Sequence, residues 1–286
     1  MKPSRRRRVR PARAVREPVV EQVVAPAPRR RARGIYILPN AFTTASLFCG
    51  FYAIVQAMND NFVYAAIATF FAMVLDSLDG RVARMTNTQS AFGEQYDSLS
   101  DMVSFGAAPA LIMYEWTLRG LGKWGWLAAF VYCAGAALRL ARFNTNIGVV
   151  DKRYFQGLPS PAAAALVVGL VWIATDLRET RWITATRADL AWVAWAFTVY
   201  AGLTMVSNVP FYSFKDINLK KSVPFFALLG LVLFFVVVSS DPPLVLFSLF
   251  VLYGLSGYAL WIWRRVRARR ADAAESGGPT APGGSA

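Results

Sequence analysis

The sequence contains no histidine and only two cysteines in 286 residues. Without histidine, the commonest general base and the commonest transition-metal ligand are both missing. Cys49 and Cys133 each lie within an apolar run, so they read as small packing residues and imply no disulfide framework. Charge is scarce as well: Asp, Glu, Lys and Arg make up 17% of the chain, with 31 basic residues against 17 acidic and a net charge of +14. So large an excess within so small a charged fraction must be concentrated in particular segments. What fills the chain instead is apolar: 56% of residues are hydrophobic and 14% aromatic. A soluble globular domain is typically about 45–50% apolar, so this composition argues against one.

The basic charge collects first at the N-terminus. Residues 1–34 hold 12 Lys/Arg and two Glu among Pro and Ala. Such a segment cannot bury apolar surface and is expected to be disordered. Ahead of a first membrane span it reads as a cytoplasmic, lipid-facing anchor rather than a nucleic-acid arm. It does not fit a signal peptide, because the basic region is too long and no small-residue cleavage site follows an apolar core. Residues 266–286 form a second expected tail, small and polar towards the end. Between the tails, 35–265 reads as one membrane domain, with no internal repeat and no soluble insertion.

A membrane-spanning helix needs about 20 mostly apolar residues. Eight candidate spans follow: 37–58, 61–84, 96–116, 124–143, 160–176, 188–207, 222–239 and 243–263, the fifth and seventh short. The predicted fold class is therefore an all-α polytopic helix bundle. With the N-terminus inside, 26 of the 31 Lys/Arg fall on the cytoplasmic side and five outside. That split matches the positive-inside rule for an even number of spans with both termini cytoplasmic. A multi-pass protein of the cell's inner (plasma) membrane is expected.

Against this background the acidic residues of "VLDSLDGRVARMTNTQSAFGEQYDSLSDMVSFG" (Val74–Gly106) stand out. Asp76 and Asp79 are three apart, Asp97 and Asp101 four apart, so each pair lies on one helix face, about 4.5 and 6 Å apart along the axis. The first pair ends the second span and the second begins the third. A short link makes these spans antiparallel neighbours and brings the four carboxylates together. An Asp at membrane depth costs about 2.5–3.5 kcal/mol on insertion scales, so something must compensate. Arg81 and Arg84 could neutralise part of the charge. Oxygen-only ligands suit Mg²⁺, Mn²⁺ or Ca²⁺, and two such ions on shared carboxylates suit phosphoryl chemistry. Gly80, Ala83 and Gly93 leave space beside the acids, and Arg84 offers a fork for phosphate oxygens.

The spacing Asp76-x2-Asp79-Gly80-x2-Ala83-Arg84-x8-Gly93-x3-Asp97-x3-Asp101 resembles, without a departure, the signature of the CDP-alcohol phosphatidyltransferases. The resemblance implies an integral membrane enzyme that moves a phosphatidyl group from a CDP-activated lipid to a hydroxyl and releases CMP. It implies two Mg²⁺ or Mn²⁺ ions held by Asp76, Asp79, Asp97 and Asp101, with Asp101 also the general base. It places Asn40, Thr43, Gly80, Ala83, Arg84 and Gly93 around the CDP moiety, in a site facing the cytoplasm. Dimerisation is common in the family and is implied as well.

Outside the signature, "LPNAFTTASLFCGFYAI" (Leu38–Ile54), "GAALRLARFN" (Gly135–Asn144), "FQGLPSPAAAA" (Phe155–Ala165) and "MVSNVPFYSFK" (Met205–Lys215) are similar to the bacterial integral-membrane phosphatidylserine synthases. This resemblance implies CDP-diacylglycerol as donor and L-serine as acceptor, with no nucleic-acid partner. A zwitterionic acceptor needs a cation for its carboxylate and an acceptor for its ammonium. Arg139, Arg142, Asn144, Gln156, Ser160, Asn208 and Lys215 all fall at expected cytoplasmic ends and are candidates. Two alternatives stay open at this point. One is the same chemistry with inositol phosphate or glycerol phosphate, although a phosphorylated acceptor should demand a denser basic cluster. The other is a divalent-cation transporter, which would leave the Gly80–Ala83–Arg84–Gly93 spacing unexplained and would scatter its acids over several spans.

Overall fold

Helix follows helix through nearly all of the computed structural model, which describes residues 37–86, 88–145, 154–180, 182, 184–212 and 225–276. The expected basic arm (1–34), Lys215 and the last ten residues lie outside the described residues. Helix α1 (Ile37–Met58) and α2 (Phe62–Thr86) are joined by a tight Asn-Asp-Asn turn in which Asp60 takes φ +61°, a left-handed conformation that Asp tolerates better than most residues. α3 (Ala91–Asp101) starts on Ser90, whose hydroxyl accepts the amide of Gly93 at 3.0 Å. A π-helical turn (Met102–Ala107) leads directly into α4 (Ala108–Trp116), and a 3₁₀ turn (Leu118–Leu121) into α5 (Lys123–Thr145). Then come strand β1 (Tyr154–Gln156), α6 (Ser160–Glu179), α7 (Ala191–Val206), strand β2 (Pro210–Tyr212), α8 (Phe225–Ser240) and α9 (Pro242–Ser276).

Five of these helices are long and apolar enough to cross a membrane: Leu38–Met58, Phe62–Thr86, Lys123–Thr145, Ser160–Glu179 and Pro242–Arg267. Ala191–Val206 and Leu228–Ser240 are apolar but shorter. The expected third span, 96–116, is not one regular helix, because Pro109 interrupts its ladder. In an α-helix the carbonyl of Phe105 would accept from the amide of residue 109, and proline has none. The chain widens into the π turn just before it, where the Ala108 amide reaches back to the Val103 carbonyl. The Phe105 carbonyl is met from another helix, by the Tyr132 hydroxyl at 2.9 Å. At the other end of the chain, α9 runs eleven residues past 265, where the tail was expected to begin. Its "RRVRARRADAA" stretch is rich in Arg and Ala, both strong helix formers.

Small residues set the packing. Ala53, Ala57, Ala65, Ala66, Ala72 and the run Ala162–Ala165 are buried, so backbones approach closely. α5 crosses α7 closely, so that a Cβ on Gly135 would stand 2.5 Å from the Gly202 carbonyl oxygen. α1 and α2 are antiparallel: Ser46 donates to the Ala72 carbonyl at 2.9 Å. α1 runs parallel to α3 and the π turn, since Ser100 donates to the Thr43 carbonyl and Ser104 to that of Ser46, each at 3.2 Å. β1 and β2 pair antiparallel and close the same end of the bundle as the start of α6. α8 exposes Leu228, Leu231, Val232, Leu233, Phe235 and Val236, as expected of a helix facing lipid.

Candidate functional site

The acidic ends of α2 and α3 meet as their spacing requires. One carboxylate oxygen from each of Asp76, Asp97 and Asp101 lies within 4.8 Å of the other two. All three residues are partly buried. Asp79, one turn on from Asp76, stands beside this group: its Oδ2 accepts the Thr43 hydroxyl of α1 at 2.7 Å, and the residue is 5% exposed. Its charge still acts on Asp97. Asp97 Oδ1 is buried with no hydrogen-bond partner among the described residues.

Around the acids stand several of the residues expected to hold a nucleotide. A Cβ on Gly80 would meet nothing within 4 Å, so this face of α2 is open. A Cβ on Gly93 would lie 3.2 Å from Ser90 Oγ and 3.6 Å from Asn40 Oδ1, which places Asn40 across from the start of α3. Arg84 is exposed and folds back along its helix, Nε donating to the Gly80 carbonyl at 2.9 Å. Ala83 is half-buried, its carbonyl accepting the Thr88 amide at 3.0 Å. The link between α2 and α3 thus packs back onto the end of α2.

The described acceptor candidates fall into four groups. Arg139 of α5 acts electrostatically on Asp101 and Asp76, and its Nη1 donates to Ser160 Oγ at 2.7 Å. Asn144 Nδ2 donates to Ser98 Oγ at 3.1 Å, one residue from Asp97. Arg142 Nη1 donates to Asn208 Oδ1 at 3.1 Å, joining the ends of α5 and α7. Gln156 is exposed on β1 opposite Pro210.

Sequence reasoning missed Ser98, Tyr132 and the ladder of Ser46, Ser100 and Ser104. A signal for Tyr132 existed in Pro109: a proline inside a helix orphans a carbonyl, which then needs a donor. Nothing local says which residue supplies it.

Three carboxylates from α2 and α3, with a guanidinium beside them, point to a site for anionic and cationic groups together. The sequence profile described as CDP-alcohol phosphatidyltransferase matches residues 36–200. The chain belongs to the CDP-alcohol phosphatidyltransferase family. It is 37% identical over 236 residues to the CDP-diacylglycerol–serine O-phosphatidyltransferase of Helicobacter pylori, covering 82% of this chain and 94% of that protein. It is 34% identical over 186 residues to the protein of the same name from Mycobacterium leprae, covering 63% and 60%. Over 100 residues it is 46% identical to the one from Methanocaldococcus jannaschii, covering 35% and 46%.

CDP-alcohol phosphatidyltransferases are membrane enzymes that need divalent metal ions, and the acidic group suits such an ion. Its donors are carboxylate oxygens alone, the set preferred by hard cations. Oxygen ligands at about 2.0–2.6 Å from one ion lie up to about 4–5 Å from each other, which spans the observed separation. A buried, unpartnered carboxylate oxygen such as Asp97 Oδ1 is costly unless something binds it. Arg139 alone leaves the acids in excess.

Proposed function

We propose that this chain transfers the phosphatidyl group of CDP-diacylglycerol to the hydroxyl of L-serine, forming phosphatidylserine and CMP. The observation that carries this reading is the convergence of Asp76, Asp97 and Asp101 beside the Arg139–Ser160 pair. The names of the relatives support serine as the acceptor. The bundle would cross the inner membrane eight times, with both termini and the site on the cytoplasmic side, and would work as a homodimer.

Asp76, Asp79, Asp97 and Asp101 would hold two ions, Mg²⁺ or Mn²⁺. A bound divalent cation supplies Lewis-acid stabilisation of charge on the diphosphate. The chain's own residues do the positioning. Gly80, Ala83, Gly93, Asn40 and Arg84 line the space for the cytidine and its phosphates. Thr43 steadies Asp79 by donating to one of its carboxylate oxygens. Arg139, steadied by Ser160, offers a cation to the serine carboxylate, while Asn144, Asn208 and Arg142 border the same end. Asp101 accepts the proton of the serine hydroxyl. The hydroxyl oxygen bonds to the lipid-side phosphorus, the phosphoanhydride P–O bond breaks, and CMP leaves with that electron pair. Chemistry of this kind depends on position and electrostatics rather than on a covalent enzyme intermediate.

The test is CMP release by the purified, reconstituted protein with CDP-diacylglycerol and a panel of acceptors, with and without EDTA. Release that requires L-serine and a divalent ion supports the proposal. Release only with glycerol phosphate or inositol phosphate would reassign the acceptor, and turnover at full rate after complete metal removal would reject the metal site.

A further inference from the structure

A second polar site lies at the opposite end of the helices from the carboxylates. Asp101 and Trp116 are separated by 15 residues of almost continuous helix, a path of about 22 Å at 1.5 Å per residue. There the end of α4, the 3₁₀ turn and the segment ahead of α7 border an open cavity of about 440 Å³, with Glu115, Trp116, Arg119, Leu121, Arg187 and Ala191 among its walls. That volume is within the range of small-molecule pockets.

The polar groups of this cavity are only partly matched. Arg119 Nη1 pairs with Glu115 Oε2 at 3.2 Å, and Arg187 Nη1 with Asp60 Oδ1 at 3.0 Å. Arg187 also lies over the Phe62 ring, 4.6 Å from its centroid, and its carbonyl accepts the Thr117 hydroxyl at 2.5 Å. An arginine has five N–H donors, so these contacts leave capacity on both. Trp116 is 2% exposed, and its buried Nε1 has no hydrogen-bond partner among the described residues. A buried indole N–H normally finds an acceptor. Two guanidinium groups with spare N–H donors and an indole N–H without a partner belong to residues that line one cavity, and a phosphodiester has oxygens for all three.

Depth and charge decide what kind of phosphodiester. Trp124, Trp126, Trp182 and Trp192, at this same end, are 56%, 50%, 82% and 59% exposed. Exposed tryptophans of a membrane protein gather at headgroup level. The two guanidinium groups are balanced by the carboxylates of Glu115 and Asp60, so the site has no net charge to offer a simple anion. It suits a ligand that carries both signs, with its phosphate on the arginines and its ammonium on Glu115.

We propose that this cavity binds the headgroup of a phospholipid that carries a phosphodiester and a primary ammonium, at a site separate from that of the reaction. The test is calorimetric titration of the full-length protein in lipid-free detergent with dihexanoyl-phosphatidylethanolamine. Dihexanoyl-phosphatidylglycerol and the chain-free glycerophosphoethanolamine are titrated in parallel. The amine lipid is expected to bind most tightly. Trp116→Phe and Arg119→Gln should each weaken it by about tenfold, the loss of one hydrogen bond to a charged group. Glu115→Gln should erase the preference over the glycerol lipid, and Asp101→Asn should leave binding unchanged. Equal binding by wild type, W116F and R119Q would overturn the proposal. Equal affinity for the chain-free ester would assign the cavity to a soluble phosphoester instead, and loss of binding in D101N would place the lipid in the reaction site. Arg119 is 71% exposed, so R119Q keeps the test decisive even if W116F fails to fold.

Discussion

Replacing Tyr132 by Phe removes one oxygen atom from a fully buried ring and keeps its shape. The hydroxyl lost is the donor to the Phe105 carbonyl at 2.9 Å, and Phe105 is itself fully buried. Hydrogen bonds between helices in membranes average about 0.6 kcal/mol, with a maximum near 1.7, because a freed group usually finds another partner. This carbonyl has poorer choices, since Pro109 withholds the amide that would otherwise take it. A buried polar group left unpaired costs about 1–3 kcal/mol, so Y132F should cost about 1–2 kcal/mol. For a chain of this size that lowers the unfolding temperature by roughly 2–8 °C, measurable by thermal denaturation in detergent. Pro109→Ala provides the control, because it restores the missing N–H. In a P109A background the same Tyr132→Phe change should cost less than about 0.5 kcal/mol, a coupling that independent sites would not show. P109A should also let the π turn close into α-helix. One residue of register is about 100° of rotation, which would swing Asp101 away from Asp76 and lower turnover at least tenfold without loss of stability. If Y132F unfolds at the wild-type temperature in both backgrounds, the account of the π turn is wrong.

Asp101→Asn should lower serine-dependent CMP release by about 10²–10⁴-fold while membrane insertion is unchanged, because it removes a proton acceptor and little volume; near-full activity would exclude Asp101 as the base. Thr43→Val leaves Asp79 without its hydroxyl donor, a bond to a charged group worth about 1.5–3 kcal/mol. A corresponding fall of about 10–100-fold in kcat/KM is expected, and an unchanged value would remove Thr43 from the site. Gly135→Ala puts a methyl group 2.5 Å from the Gly202 carbonyl, so α5 and α7 must separate; a loss of about 1–3 kcal/mol in stability is expected, read as a lower unfolding temperature.

The periodicity of the chain carried much of this architecture. Apolar runs separated by polar links predict most of the helical segments, but not the first residues of α3 or the end of α9. The spacing of Asp76 with Asp79 and of Asp97 with Asp101 predicts two acidic helix faces, and three of those four side chains meet. Windowed hydrophobicity does not register a single proline, so residues 96–116 look like one regular helix until Pro109 is weighed. Charge and small residues after 265 suggest a tail, but Arg and Ala also favour helix, and α9 continues to Ser276.

The partners of the site residues were not legible. Arg139 reaches Ser160, 21 positions on; Asn144 reaches back 46 to Ser98; Arg142 reaches 66 ahead to Asn208. Nor did anything in the pattern set Asp79 on Thr43 rather than among the other acids. The amino-acid order determined by itself the helices, the faces their acids occupy and the family to which the chain belongs, because these rest on spacing along one segment. Only the way the separate helices pack together decided which donor meets which carboxylate, which carbonyl Tyr132 serves and that a cavity opens at the far end. Those outcomes depend on how closely small residues let separate helices approach, and no single segment holds that information.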